Sequence, residues 1–280
     1  MSRVYRALEK VEAERHQMVE EPALKVFEEK NVPKKEGPPL EFPKEKAEKL
    51  GLPSKEVPPV LIVPPHSFGA EAFRKLKTQI FLHPGKSPRT ILVTSTAPQE
   101  GKTLVAVNLA VAISKEIHNN VILVDGDLRR PGIHLGRNQN GKGLSNYLSD
   151  GIPLSEILIN SEMEKLRIIL AGSSTRKSSE LIRSKKMGEL LQSLREFGEN
   201  TYIVIDSPPI MATADPTLLS TMVDGVILVI RAGYTSRESV QSAIKSIDRQ
   251  KIIGVIFNQI DTKPSTYFSE NYRYYQYYRK

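Results

Sequence analysis

From about residue 67 onward, short apolar runs alternate with longer stretches whose apolar residues recur at helical spacing. The runs are rich in Val, Ile and Leu and predict strands at Thr90 to Thr94, Val121 to Val124, Leu166 to Leu170, Tyr202 to Ile205, Val226 to Ile230 and Ile252 to Phe257. They are nearly continuous rather than alternating, the pattern of strands covered on both faces. Between them the spacing predicts helices at Ala70 to Leu82, Lys102 to Ile117, Lys185 to Phe197, Pro216 to Met222 and Ser236 to Asp248. Such alternation describes an α/β chain with a doubly wound, mostly parallel sheet. Ligands in these sheets bind beyond the carboxyl ends of the strands, so the chemistry should follow each apolar run directly.

The segment up to His66 reads differently. Val4, Leu8, Val11 and Met18 recur at helical spacing among charges and predict a short amphipathic helix over 1–20. That helix either docks on a partner or on the body of the protein, or it is marginal and frays. Ten of the 19 prolines fall between Pro22 and Pro65 amid Lys and Glu, which predicts a disordered or extended linker over 21–66. From Met1 to His66 there are 12 basic and 12 acidic side chains, so the whole formal excess of +8 lies in the remainder. The 280-residue chain has no Cys, which excludes disulfides, thiol catalysis and Cys-ligated metal. The N-terminal stretch lacks the apolar core of a secretory signal, and no apolar run nears the roughly 18 residues a membrane span needs. A soluble protein with at most a peripheral membrane role is expected.

The first strand runs into Thr96-Ala97-Pro98-Gln99-Glu100-Gly101-Lys102-Thr103, and a strongly apolar helix follows. This is a Walker A loop with Thr96 where the first Gly usually stands. Gly101 lets backbone amides wrap close to phosphate oxygens, and the helix N-terminus adds partial positive charge. Contacts to ATP are expected from Ala97, Gln99, Glu100, Gly101, Lys102, Thr103 and Leu104, with Lys102 on the β- and γ-phosphates and Thr103 on Mg²⁺. A chance Gly-Lys-Thr turn is the bland alternative, and the strand before and buried helix after count against it.

Two more strands end in carboxylates, Val124-Asp125-Gly126-Asp127 and Ile205-Asp206. Mg²⁺ keeps several waters and needs one or two carboxylates beside phosphate oxygens rather than a protein cage. Asp206 fits the Walker B role, on the metal or on its water. Asp125 and Asp127, two apart, would point the same way if extended, one to the metal and the other to an incoming hydroxyl. Asp125 or Asp127 could accept that hydroxyl's proton. A solvated Asp-Gly-Asp turn is the rival reading of that pair.

Together with six tyrosines between Tyr267 and Lys280, these motifs resemble the bacterial tyrosine kinases of the P-loop type, the cytoplasmic partners of polysaccharide copolymerases. The resemblance covers roughly 67–280 and implies a P-loop fold of the MinD/ParA-like class over 67–262, followed by an autophosphorylation tail over 263–280. Ile122 to Arg129 matches the family's additional aspartate motif, Walker A′, and with the tail it is the specific feature. Implied with it are catalytic roles for Lys102, Asp125, Asp127 and Asp206, and metal ligation by Thr103, Asp125 and Asp206. The tail substrates would be Tyr267, Tyr272, Tyr274, Tyr275, Tyr277 and Tyr278, modified in trans within a ring homo-oligomer with an octamer as its candidate size. Glu71, Arg74 and Lys77 match the family's interface motif E-x-x-R-x-x-R, with Lys77 departing from the last Arg. Lys offers a point charge where Arg offers a planar fork. On sequence alone, a solvated helix face is the stronger reading of those three.

The implied partners are the cytoplasmic segment of a membrane copolymerase, at the inner face of the plasma membrane, and a cognate tyrosine phosphatase. The implied role is control of exopolysaccharide or capsule polymerisation and export. Asn258, just after the last strand, stands where related NTPases contact the base. The rival reading is a MinD/ParA-like positioning ATPase. Those proteins carry a signature lysine at the place of Ala97 and lack a tyrosine tail. The basic balance also admits a nucleic-acid binder, but the basic residues are spread and no recognition motif is present, so no specific nucleic acid is expected. The tail itself could instead pack on a partner surface or stack on bases.

Overall fold

The computed structural model describes residues 62–84, 87–134 and 141–260. The helix expected over 1–20, the linker up to residue 61 and the tyrosine cluster lie outside the described residues.

All six expected strands form: β1 Thr90–Ser95, β2 Asn120–Asp125, β4 Leu166–Ile169, β5 Thr201–Asp206, β6 Gly225–Arg231 and β7 Ile252–Asn258. A short β3, Leu158–Asn160, joins them at one edge. The spatial order is β3-β4-β2-β5-β1-β6-β7, parallel throughout except for the antiparallel pairing of β3 with β4. Because side chains alternate across a strand, each central strand feeds two cores. Leu92, Ile122, Val124, Ile203, Ile205 and Leu228 face one layer. Ile91, Val93, Val121, Leu123, Val204 and Val229 face the other. Burial on both sides explains why these strands read as unbroken apolar runs.

One layer holds helices α1, Phe68–Phe81, and α2, Lys102–Ser114. Every residue of α2 from Val105 to Ser114 is buried, because the sheet covers one side and α1 lays Phe73, Leu76 and Ile80 into the same apolar cluster. An apolar helix without a polar face requires such enclosure. The Ser67 hydroxyl caps α1 by accepting the Ala70 amide at 3.1 Å. Residues 62–66, expected in the linker, already belong to this layer: the Val63 amide donates to Asn108 Oδ1 at 2.9 Å.

The opposite layer holds α3 Leu144–Asp150, α4 Leu154–Ile157, α5 Ser178–Arg183, α6 Lys185–Arg195, α7 Asp215–Met222 and α8 Arg237–Lys245. The sequence pattern predicts α6, α7 and α8. The helices α3, α4 and α5 have seven, four and six residues, too few turns for a period to show. The helix expected from Lys102 to Ile117 stops at Ser114.

β2 and β6 lie on opposite sides of β1, with β5 between β1 and β2. The loop that follows β1 therefore opens where the winding reverses, beside the carboxyl ends of β5 and β2.

Candidate active site

The loop from β1 to α2 is held from behind. Glu100 is buried, and its carboxylate accepts the Ala97 amide at 2.8 Å and the Thr235 hydroxyl. The Glu100 carbonyl accepts from Asn258 Nδ2 at 2.9 Å, and the Gln99 carbonyl from Gln259 Nε2 at 3.3 Å. Gly101 sits in the left-handed region with φ 91°, and a Cβ there would collide with Asn258 Nδ2. Gln99 is left-handed as well, with φ 65°, a conformation non-glycine residues rarely hold outside functional loops. These braces leave the first-turn amides of Lys102, Thr103 and Leu104 without intrahelical acceptors, as at any helix start. That is a cradle for phosphate oxygens.

Two of the expected contacts also brace the loop. Ala97 is a nucleotide contact on the sequence pattern, but its amide is engaged by Glu100 and its carbonyl accepts the Ser95 hydroxyl at 2.8 Å. It shapes the loop. Asn258, expected at the base, uses its side-chain amide to clamp the loop backbone.

Four of the expected groups converge in front of the loop. Lys102 Nζ lies 3.5 Å from Asp127 Oδ2, 3.9 Å from Asp206 Oδ1 and 3.3 Å from Thr103 Oγ1. The Thr103 hydroxyl donates to Asp206 Oδ2 at 2.6 Å. Asp206 is fully buried and its Oδ1 has no hydrogen-bond partner; the lysine at 3.9 Å is too far to serve as one. Burial pushes the Asp206 carboxyl up to about 6, against the pull of Lys102 and the Thr103 hydroxyl.

Asp125 is paired in register with Asp206 on the neighbouring strand and buried beside it, with its oxygens taken up by backbone amides. Its Oδ1 accepts the Asp127 amide at 3.1 Å, and its Oδ2 accepts the amides of Gly132 and Ile133 at 3.1 and 3.0 Å. Burial, with the Asp206 carboxylate alongside, pushes it up to about 8, against the pull of those amides. The sequence pattern has the two carboxylates of the Asp-Gly-Asp segment pointing the same way. They part because β2 ends at Asp125 and the chain turns, with Asp127 Oδ1 accepting the Arg130 amide at 2.9 Å. Asp125 thus ties down the 126–133 loop.

A magnesium ion fits the remaining set. The unpartnered buried oxygen of Asp206 and the adjacent Thr103 hydroxyl are hard donors. Among the described residues no three acidic or imidazole groups gather into a metal cage.

In front of Lys102 and Asp127 lies a cavity of about 750 Å³ whose lining includes Gln99, Arg129, Arg130, Arg176, Pro208 and Thr213. Sequence reasoning missed the three arginines. Arg129 and Arg130 directly follow the Asp127 motif and were findable from that adjacency. Arg176 carried no signal, because it reaches the site only through tertiary bonds: the Thr175 amide to the Leu128 carbonyl at 2.9 Å, and the Ser174 hydroxyl to the Arg129 carbonyl at 2.8 Å.

Glu71, Arg74 and Lys77 stand apart, on α1. Arg74 pairs with Glu71 at 2.6 Å, and Lys77 pairs with Glu116 beyond the end of α2. Lys77 is thus engaged within the chain, while the Arg74–Glu71 pair is partly exposed on the helix surface.

A family model described as an AAA domain matches residues 89–256. The tyrosine-protein kinase YwqD of Bacillus subtilis (strain 168) is 30% identical over 203 residues, covering 71% of this chain and 84% of the relative. The kinase domain of the Escherichia coli tyrosine kinase ETK superposes with a TM-score of 0.68 at 27% identity, covering 76% of this chain and 84% of that one. The ParA family ATPase from Chlorobium tepidum TLS superposes at 0.50 with 21% identity, covering 64% and 76%, and shares the fold.

Proposed function

The chain belongs to the P-loop tyrosine-protein kinases, and from that membership we propose that it transfers the γ-phosphoryl group of ATP to tyrosines of its own C-terminal cluster. The observation that carries the reading is the placement of Lys102 and Asp127 side by side at the floor of an open cavity, directly before the phosphate cradle. Lys102 and Asp127 line the same space, so a phosphoryl group held by the one and a hydroxyl facing the other would meet there.

In this reading the amides of Gln99 to Leu104 hold the phosphates, and Lys102 stabilises charge on the β- and γ-oxygens. Thr103 and Asp206 would hold magnesium, which when bound neutralises phosphoryl charge. The tyrosine oxygen bonds to the γ-phosphorus, the bond from that phosphorus to the β,γ-bridging oxygen breaks, and ADP leaves. The phenol proton passes to Asp127, the carboxylate that lines the cavity. Asp125 keeps the Asp127 loop in place. The substrates are Tyr267, Tyr272, Tyr274, Tyr275, Tyr277 and Tyr278, delivered from a neighbouring copy in a ring. A membrane copolymerase supplies an activating cytoplasmic segment and holds the ring at the inner membrane face, a phosphatase reverses the modification, and the cycle governs exopolysaccharide or capsule export.

Incubation with Mg-ATP and mapping by mass spectrometry tests this, with the copolymerase segment supplied. Phosphate on the tail tyrosines is expected, and Lys102→Met should abolish it. ATP hydrolysis that leaves the tail unmodified would overturn the kinase reading. Delivery in trans is read by mixing Lys102→Met protein with wild type: the variant's tail should become labelled.

A further inference from the structure

The cavity is more cationic than a triphosphate requires. Its lining carries Lys102, Arg129, Arg130 and Arg176 against the single carboxylate of Asp127. Lys102 is engaged with the phosphate cradle and Asp127. Arg129 is stapled to the wall: its Nε donates to Ser178 Oγ at 2.7 Å and lies 3.5 Å from Asp215 Oδ2, and its Nη2 reaches Ser179 Oγ at 3.4 Å. Asp215 is fully buried and accepts the Ser179 hydroxyl as well. Arg130 and Arg176 are different. Both are exposed, and among the described residues neither guanidinium has a hydrogen-bond or ion-pair partner. The segments that bear them are stitched together by the bonds from Ser174 and Thr175 to the Arg129 and Leu128 carbonyls, so one wall presents both forks.

We infer that Arg130 and Arg176 form a phosphotyrosine subsite, which reads a tyrosine already phosphorylated next to the one entering the active site. The inference rests on the kinase reading above. A guanidinium presents its donors in a planar fork that matches phosphate oxygens, and an unpartnered pair on a cavity wall suits a dianion. The substrate's spacing fits. Tyr272, Tyr274, Tyr275, Tyr277 and Tyr278 stand one or two positions from their neighbours, and two extended residues span about 7 Å. A phosphate on one tyrosine therefore stays within side-chain reach of the cavity that holds the next.

The charges give the subsite a consequence. The segment from Tyr267 to Lys280 begins with a side-chain charge of +2, from Arg273, Arg279 and Lys280 against Glu270. Before phosphorylation the segment offers the two arginines no side-chain anion but Glu270, so the first transfer gains nothing from them and is the slow one. Each phosphate contributes about −1.5 to −2, so one brings the tail near neutrality and two make it an anion that the arginines attract. Phosphorylation then favours its own continuation along the cluster.

The test is binding, not turnover. A labelled synthetic peptide running from Ser265 to Lys280, unmodified or phosphorylated at Tyr275, is titrated by fluorescence anisotropy against the dephosphorylated full chain in saturating Mg-ADP. The nucleotide keeps the peptide's phosphate out of the phosphate cradle. The phosphopeptide should bind at least about tenfold tighter, the worth of one charge-assisted contact. The double variant Arg130→Glu/Arg176→Glu should bring the two peptides to within about twofold. Lys245→Glu/Arg249→Glu, with the same change in net charge at the opposite edge of the sheet, should keep the preference. Equal binding of the two peptides by wild type, persistence of the preference in the Arg130/Arg176 variant, or equal loss in the control variant would each overturn the subsite. Should the double reversal fail to melt like wild type, Arg176→Gln is read instead, with a partial loss expected and no loss counting against the subsite. The kinase reading fails separately, by an unmodified tail under Mg-ATP, and leaves the binding result standing.

Discussion

Two carboxylates at opposite edges of the sheet are treated in opposite ways. At the amino edge, Asp224 is exposed, yet it accepts the amides of Arg89 and Thr90 at 3.1 and 2.8 Å and the Arg195 guanidinium at 3.2 Å. At the carboxyl edge, Asp206 is fully buried, where an unpaired acceptor costs most, and one of its oxygens has no hydrogen-bond partner. A fold selected for stability alone would distribute its donors the other way. The amino edge is closed on itself, and the carboxyl edge is left incomplete for a ligand to finish. Asp125 shows that the difference is local: it sits one strand from Asp206, equally buried, and three backbone amides satisfy it.

Substitution at these carboxylates can break that contrast. The largest effect is expected at Asp127. Asp127→Asn removes the proton acceptor and should lower tail phosphorylation by about 10² to 10⁴-fold, measured by quantitative mass spectrometry, with little change in the melting temperature. Asp206→Asn should cost about 10² to 10³-fold, and the ligand-free protein should melt at the same temperature or higher, because a buried unsatisfied charge is gone. Asp224→Asn is expected to do the reverse: wild-type phosphorylation and about 1 kcal/mol less stability in urea denaturation. If Asp224→Asn were the inactive variant and Asp206→Asn the unstable one, the division of labour between the edges would be wrong. A loss of about 1 to 2 kcal/mol, in stability or in nucleotide affinity, is expected from Gly101→Ala, since the left-handed backbone and the Asn258 clamp both resist a methyl group.

The same contrast marks what the chain's pattern disclosed. The six long strands and five main helices are legible because each buries an apolar run whose period is set by its own backbone. The Walker loop and Asp206 are legible because they follow strands directly. β3 escaped because three residues hold no pattern. Asp125 and Asp127 looked alike because an Asp-Gly-Asp segment does not say which carboxylate its neighbours' amides will take; only the return of Gly132 and Ile133 decides it. The Asn258 clamp on the loop was hidden because strand-end position is readable and side-chain direction is not. Arg176 is remote from Lys102 along the chain, with the three strands β2, β3 and β4 and the short helices α3 and α4 between α2 and it, and nothing short of the fold brings it to the cavity.

The pH response offers the finest test. The Asp206 carboxyl is raised from 3.8 in the unfolded chain to about 6, so the ligand-free fold favours its protonated form. That preference stabilises the fold fully below the unfolded value and is lost as pH rises through about 6. Cation binding needs the ionised form and therefore runs the other way. Magnesium affinity in the presence of ADP should be level above about pH 7 and fall by up to about tenfold per pH unit below 6, as one proton competes with the ion. Calorimetric titration from pH 5 to 8 reads this, with Asp206→Asn run alongside to subtract the nucleotide's own protonation. Because Lys102 pulls the Asp206 carboxyl down, Lys102→Met should move the midpoint upward. A pH profile in the wild type no steeper than that of Asp206→Asn would mean that the buried oxygen meets something other than the ion, and the incompleteness of the carboxyl edge would need another explanation.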